Sequence, residues 1–154
     1  ELTSSQGSSI FGFKFSPNGK WISFSSSIAG GYNCYIAPFD KPNEAYMISN
    51  IYQGEEPIWS PNGDEIFYRA PLGMYSVPLT FDKHGGVDIG KAKLLFSTPW
   101  IDNPGIGHAI HPDGDKFLVV VHEEEEVSDH FKIVLNFDAL IERKFAELKN
   151  NSQP

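Results

Sequence analysis

Cysteine is almost missing from this chain: Cys34 is the single one among 154 residues. One thiol can make neither an internal disulfide nor a thiolate metal cage, which excludes disulfide-stapled scaffolds and zinc ribbons. Long hydrophobic runs are missing as well. No apolar stretch reaches the roughly 18 residues that a membrane-spanning helix needs, and residues 1–9 (ELTSSQGSS) are too polar for the core of a signal peptide. Basic residues are scarce, 12 Lys and Arg against 20 Asp and Glu, for a net charge of −8. Nucleic acid and anionic membranes both need a basic patch, so neither is expected as a partner. The first residue is Glu1, not Met, which predicts a chain that is processed, trimmed or part of something longer.

Turn formers and aromatics are plentiful instead, with 14 Gly, 11 Pro and 14% aromatic residues among 40% hydrophobic ones. That is enough apolar material for a packed core, and the length predicts a single domain over residues 1–154. Three segments of it align with one another. They are Phe13 to Phe24 (FKFSPNGKWISF), Pro57 to Tyr68 (PIWSPNGDEIFY) and His108 to Val119 (HAIHPDGDKFLV). Pro17, Pro61 and Pro112 mark the phase, 44 and 51 residues apart, and a period of about 40 to 50 residues is that of propeller blades.

Each unit reads as a β-hairpin. An alternating apolar run closes at proline, which cannot donate to a sheet ladder, and Asn-Gly or Asp-Gly then supplies the positive φ values of a tight turn. A second alternating run follows at once, carrying Ile22 and Phe24, Ile66 and Tyr68, or Phe117 and Val119. Further strands are expected at Tyr32 to Phe39 and Glu44 to Ser49, at Gly73 to Leu79 and Lys91 to Phe96, and at Phe131 to Phe137. The Lys83 to Gly86 region reads as a loop. After Phe137 the pattern becomes helical, with Asp138 as cap and Leu140, Ile141, Phe145 and Leu148 on one face, giving a C-terminal helix over 138–150.

The expected fold class is therefore all-β, with propeller blades at about 10–49, 54–96 and 106–137. The last blade lacks its outer strand, while residues 1–4 form an outer strand without a blade. Propellers typically close with about 4 to 8 blades, so three make an arc with two open ends. Two remedies are available. A second copy would give six blades, each copy's residues 1–4 completing the partner's last blade, or further blades would come from a longer chain.

FSPNGKWISF, WSPNGDEIFY and HPDGDKFLVV resemble the W-S-P-D-G-x-x-I-x-F repeat of the TolB-like, WD40-like propeller group, known as the PD40 repeat. The likeness covers nearly the whole chain. In two copies Asn replaces the Asp of the turn, and in the third His111 precedes the proline where the repeat has Ser. Gly73 to Leu79, Lys91 to Phe96 and Ile133 to Phe137 resemble the C-terminal end of bacterial proteins carrying such repeats. The resemblance implies a scaffold or binding module, in some members part of an enzyme, and a periplasmic or secreted setting. The fold by itself does not choose among these roles.

Residues with chemistry are few. His108, His111 and His122 lie around the last hairpin with Asp113 and Asp115, an arrangement that matches no established ligand spacing. His108 would be the metal ligand if there were one, because inner strands line a propeller's channel. Its bland reading is an inner-strand residue facing that channel, with His111 a surface turn residue. No G-x-S-x-G elbow, G-x-G-x-x-G or Walker spacing occurs, and Ser16 and Ser60 read as turn hydroxyls. Glu123 to Glu126 lacks the alternation of a calcium loop and reads as a solvated hairpin tip. Cys34 reads as a buried, inert thiol. Trp21 and Trp59 occupy repeat positions and read as packing between blades, whereas Trp100 is free to face a groove.

These readings predict no catalytic residue and no cofactor. The expected function is binding or scaffolding of a protein, peptide or small ligand, by a ring closed through homodimerisation. Loops Ile101 to Gly107 and Gly30 to Asn33 would surround one opening, with Trp100, Asp102, Asn103, His108 and Tyr32 as contact candidates. Replacing Trp100 by alanine is expected to weaken binding without unfolding the chain. The alternative is a set of terminal blades from a larger enzyme or sensor, such as a peptidase-associated propeller or a metal-dependent lyase.

Overall fold

Each proline-glycine motif folds into the same connection. The Ser16 N–H donates to the Trp21 carbonyl at 2.9 Å and the Gly19 N–H to the Ser16 carbonyl at 2.9 Å; Ser60 and Gly63 repeat this at 2.9 and 3.0 Å, and His111 and Gly114 at 2.8 Å each. Proline occupies the second turn position, where its fixed φ fits, and only the glycine is left-handed, with φ of 70, 76 and 83°. The expected tight two-residue turn is thus corrected to a longer bend braced by a side chain. Ser16 Oγ accepts the Trp21 N–H at 2.9 Å and Ser60 Oγ the Glu65 N–H at 3.1 Å. In the third copy the brace differs: His111 Nδ1 accepts the Asp113 N–H at 3.2 Å, within the turn and not across it.

The computed structural model describes residues 8–49, 53–100 and 107–121. Among them the strands form three antiparallel sheets. The first runs β1 (Ile10–Phe15), β2 (Trp21–Ser26), β3 (Asn33–Pro38) and β4 (Tyr46–Met47) in chain order. The second runs β5 (Glu55–Trp59), β6 (Glu65–Ala70) and β7 (Gly73–Phe81), with β8 (Val87–Ile89) and β9 (Lys93–Phe96) both paired to β7. The third is the hairpin of β10 (His108–Ile110) and β11 (Phe117–Val119), beyond which Trp100 and Val121 form a single bridge.

Two elements depart from the sequence reading. β4 is shorter than Glu44 to Ser49, although the Ile48 N–H still reaches the Cys34 carbonyl at 2.9 Å. β8 was not expected at all: Asp82 Oδ1 accepts the N–H groups of His84 and Gly86, at 2.7 and 2.9 Å, and folds the long strand β7 back into a hairpin. β9 then pairs with Met74 to Ser76, while β8 pairs with Leu79 to Phe81. The strand expected at residues 1–4, the one at 131–137 and the helix at 138–150 lie outside the described residues.

Strand alternation divides the side chains between two layers. Trp21, Cys34 and Ile36 from the first sheet pack on Trp59, Ile66 and Tyr68 from the second. From the opposite face of the second sheet, Ile58, Phe67 and Met74 pack on Phe117 and Val119 of the third. Phe67 meets Phe117 edge-on, ring centroids 5.0 Å apart. The β7 extension supplies Phe81, which sits 5.0 Å from Trp21 and 6.5 Å from Trp59, so both tryptophans lie between sheets.

The step from sheet to sheet repeats. A Cβ built on Gly63 would lie 3.2 Å from Pro17, and one on Gly114 would lie 3.3 Å from Pro61, so each turn glycine seats against the proline of the preceding turn. The outer face of the first sheet carries a separate cluster of Ile22, Phe24, Tyr35 and Ala37. Beside it Phe13, Phe15 and Phe39 are 51, 60 and 56% exposed.

Candidate functional site

β1 and β5, the first strands of their sheets, carry the same irregularity at the same repeat position. Their registers shift between Phe11 and Lys14 and between Glu55 and Ile58. Gly12 in the first copy and Glu56 in the second are left-handed there, with φ of 71 and 56°; Gly107 holds the equivalent place in the third. Glycine takes this conformation freely, whereas a glutamate there is strained, and such outliers concentrate at positions the surroundings hold in place.

Several contacts hold Glu56. Its N–H donates to Ser25 Oγ of the first sheet at 2.9 Å, and its Oε2 accepts the Gly107 N–H of the third at 2.8 Å. Arg69 Nε lies 3.3 Å from Oε1, and His108 Nδ1 lies 3.4 Å from Oε2. Neither contact is aligned as a hydrogen bond: Arg69 Nε and both imidazole nitrogens of His108 have no hydrogen-bond partner among the described residues. Arg69 Nη2 donates to Glu55 Oε2 at 2.6 Å, a short charge-assisted bond. Burial pushes the Glu56 carboxyl up, but His108, the Gly107 amide and the Arg69 guanidinium outweigh it and hold the group below its ordinary value.

A pocket of about 240 Å³ opens beside this cluster, lined by Gln53, Glu55, Arg69, Ala70, Pro71 and Trp100. Trp100 is held in place: its indole N–H donates to the Ala70 carbonyl at 2.9 Å, and its ring packs on the cluster of Met74 and Phe117 and lies 5.8 Å from the His108 imidazole, centroid to centroid. Trp100 is thus one of the residues that line this pocket. The ring also packs and bonds within the molecule, so alanine there would remove internal contacts as well as part of the pocket wall.

The other sequence candidates are placed as follows. His108 stands at the start of β10, buried at 3% exposure, with its imidazole beside Glu56. It does not join Asp113 and Asp115. The group whose ligand atoms come within 4.8 Å of one another is His111, Asp113 and Asp115, exposed on the turn, where Asp115 is also paired with Lys116 at 3.1 Å. Tyr32 stacks edge-on with Phe11, centroids 5.1 Å apart, and does not line the pocket. Its carbonyl accepts the Gly54 N–H at 3.0 Å, and Gly31 lies against the Gln53 side chain, so the Gly30 to Asn33 loop borders the pocket through Gln53. Asp102 and Asn103 lie outside the described residues.

Glu55, Glu56 and Arg69 were not singled out in the sequence. The available signal was a comparison of copies: Glu56 stands where the other two repeats have glycine, and Arg69 stands where the first has Ser25.

No family model and no curated protein matches this chain. Among solved structures it is similar to TolB from Acinetobacter baumannii, at 20% identity and a TM-score of 0.49. The match covers 73% of this chain and 26% of that one, so the chain spans about a quarter of that protein's length.

Proposed function

We propose that the chain is a run of PD40-type propeller blades acting as a non-catalytic binding module, closed into a six-bladed ring by a second copy. The observation that carries closure is the apolar surface at the two ends of the described residues. At one end Phe13, Phe15 and Phe39 are more than half exposed on the face turned away from the second sheet; at the other Leu118, on the outward side of β11, is 43% exposed. An exposed group of aromatic side chains such as Phe13, Phe15 and Phe39 is covered in a stable assembly. The regular step between turns, Gly63 on Pro17 and Gly114 on Pro61, supports continuing the same rotation into a partner. Two-fold pairing would bring each first blade against the partner's last one.

Recognition rather than turnover is supported by the way the charges are held. Glu55, Glu56 and Arg69 are engaged with one another, and Glu56 is fixed in its charged form by its neighbours, which suits a rigid docking surface. The mass in solution tests the closure. Light scattering on the purified chain is expected to give about 34 kDa, twice the 17.2 kDa of one chain, and Phe15→Asp is expected to lower it. A stable, unaggregated species at the single-chain mass would overturn closure by a second copy.

A further inference from the structure

The pocket beside Trp100 combines features that select one class of ligand. Its volume, about 240 Å³, falls below the ~300 to 1,000 Å³ of pockets for drug-sized ligands, so it suits a side chain or a small ion. Glu55 is 29% exposed at its wall, and only its Oε2 is taken, by Arg69; Oε1 has no partner among the described residues. Arg69 directs Nη2 at Glu55 and Nε at Glu56, so its charge is already matched by two carboxylates. An anion entering here would have to displace Glu55 from a 2.6 Å bond. A cation meets no such obstacle. The Trp100 ring supplies a π system for it, with the indole N–H already satisfied by Ala70 so that the ring is fixed in place. Gln53 adds an amide at the rim, and the net charge of −8 favours the approach of positive ligands.

We propose that this pocket binds a primary alkylammonium group, through Oε1 of Glu55 and the ring of Trp100. The group would come either from a lysine side chain of a docking polypeptide or from a free small amine. The proposal names the ligand class of the binding module proposed above, and so rests on that reading for its biological sense, but the pocket lies within one chain and does not need the ring.

The test is a titration of the isotope-labelled wild-type chain, followed at the Trp100 indole N–H in proton–nitrogen spectra. n-Butylammonium chloride is expected to shift that resonance saturably at low ionic strength, and added salt to weaken the binding. n-Butanol and sodium acetate at the same concentrations are expected to leave it in place. Glu55→Gln is expected to raise the Kd for butylammonium about tenfold or more, the loss of one charge-assisted bond. If butylammonium causes no saturable shift, or if butanol or acetate matches it, the proposal is overturned, whatever the variant does. A shift that Glu55→Gln leaves intact in a folded chain overturns the role of the carboxylate. Among positive results, tighter binding of the capped tripeptide acetyl-Gly-Lys-Gly-amide than of butylamine assigns the group to a polypeptide, and the reverse order to a free amine. A ring that ignores the amine sinks this proposal alone; a single-chain species that binds it sinks only the closure.

Discussion

The Glu56 carboxylate accepts the Gly107 amide at 2.8 Å, and these two residues hold the same place in successive repeats. Through its main chain Glu56 bonds back to Ser25 in the first sheet, and through its side chain it bonds forward to the third. Gly12 has the same left-handed backbone in the first sheet but no side chain with which to reach the next one. A left-handed backbone costs about 1 to 2 kcal/mol at a residue bearing a Cβ. The carboxylate contacts offset that cost here, so one residue exchanges local strain for a tie across three sheets.

Substitution at this position separates the two effects. Glu56→Ala removes the carboxylate and keeps the Cβ in a left-handed backbone; Glu56→Gly removes both. Each variant is expected to lose about 2 kcal/mol with the charge-assisted contacts, and the alanine variant to lie roughly 1 kcal/mol below the glycine variant. Urea unfolding of the three chains measures both quantities. An alanine variant as stable as the glycine variant would show that the backbone is unstrained.

Acid should act through the same residue. The folded Glu56 carboxyl sits below its ordinary value of 4.5, because His108, Gly107 and Arg69 together outweigh the opposing effect of burial. A group depressed on folding contributes stability that is fully present above its unfolded value and lost as pH falls through its folded one. The urea midpoint is therefore expected to hold from pH 7 to about 5 and to fall as pH drops through 4.5 and below, with part of that fall missing in Glu56→Gln. Parallel acid profiles for the two proteins would assign the acid sensitivity to other carboxylates.

How much of this was readable beforehand depends on how local each cause is. The hairpins were legible because the Pro-Asn-Gly and Pro-Asp-Gly turns are set by a few adjacent residues; alternation did not say which face is covered, since Ile66 and Tyr68 lie between the first two sheets but Ile22 and Phe24 on the outer face of the first, and β2 is buried on both faces. β8 was missed because it depends on Asp82 capturing two amides across a glycine pair, in a stretch whose composition reads only as loop. The pocket was half legible. Trp100 stood out as an aromatic outside the repeat, but Glu55 and Arg69 gain meaning only once β5 and β6 are paired, with Glu55 opposite Arg69. His108 drew attention for other surroundings than it has: it begins β10, and its neighbour is a glutamate from the preceding repeat, 52 positions earlier in the chain.

Seating of one turn on the next can be measured at two glycines. Gly63 and Gly85 are both left-handed, with φ of 76 and 88°, but a Cβ on Gly63 would press on Pro17 at 3.2 Å, whereas one on Gly85 would have nothing within 4 Å. Gly85→Ala is expected to cost only the backbone penalty, about 1 kcal/mol. Gly63→Ala is expected to cost measurably more, by about 0.5 to 1 kcal/mol of added overpacking between turns. Thermal unfolding midpoints of the two variants report the difference, and equal values would mean that adjacent turns do not bear on each other.

Cys34 offers a last check on the layer between the first two sheets. Its side chain is fully buried on β3, and burial, followed by the nearby Glu55 charge, pushes the thiol well above its ordinary value, against smaller opposing contributions from Ser25 and Arg69. The reactive form of cysteine is the thiolate, so a thiol that is both inaccessible and hard to ionise should resist alkylation. With iodoacetamide at pH 8, mass spectrometry is expected to find Cys34 unmodified in buffer and modified across the same urea range in which tryptophan fluorescence reports unfolding. Because the residue belongs to the cluster holding Trp21, Trp59 and Tyr68, labelling that ran ahead of the fluorescence change would mean that the two sheets separate before either one melts.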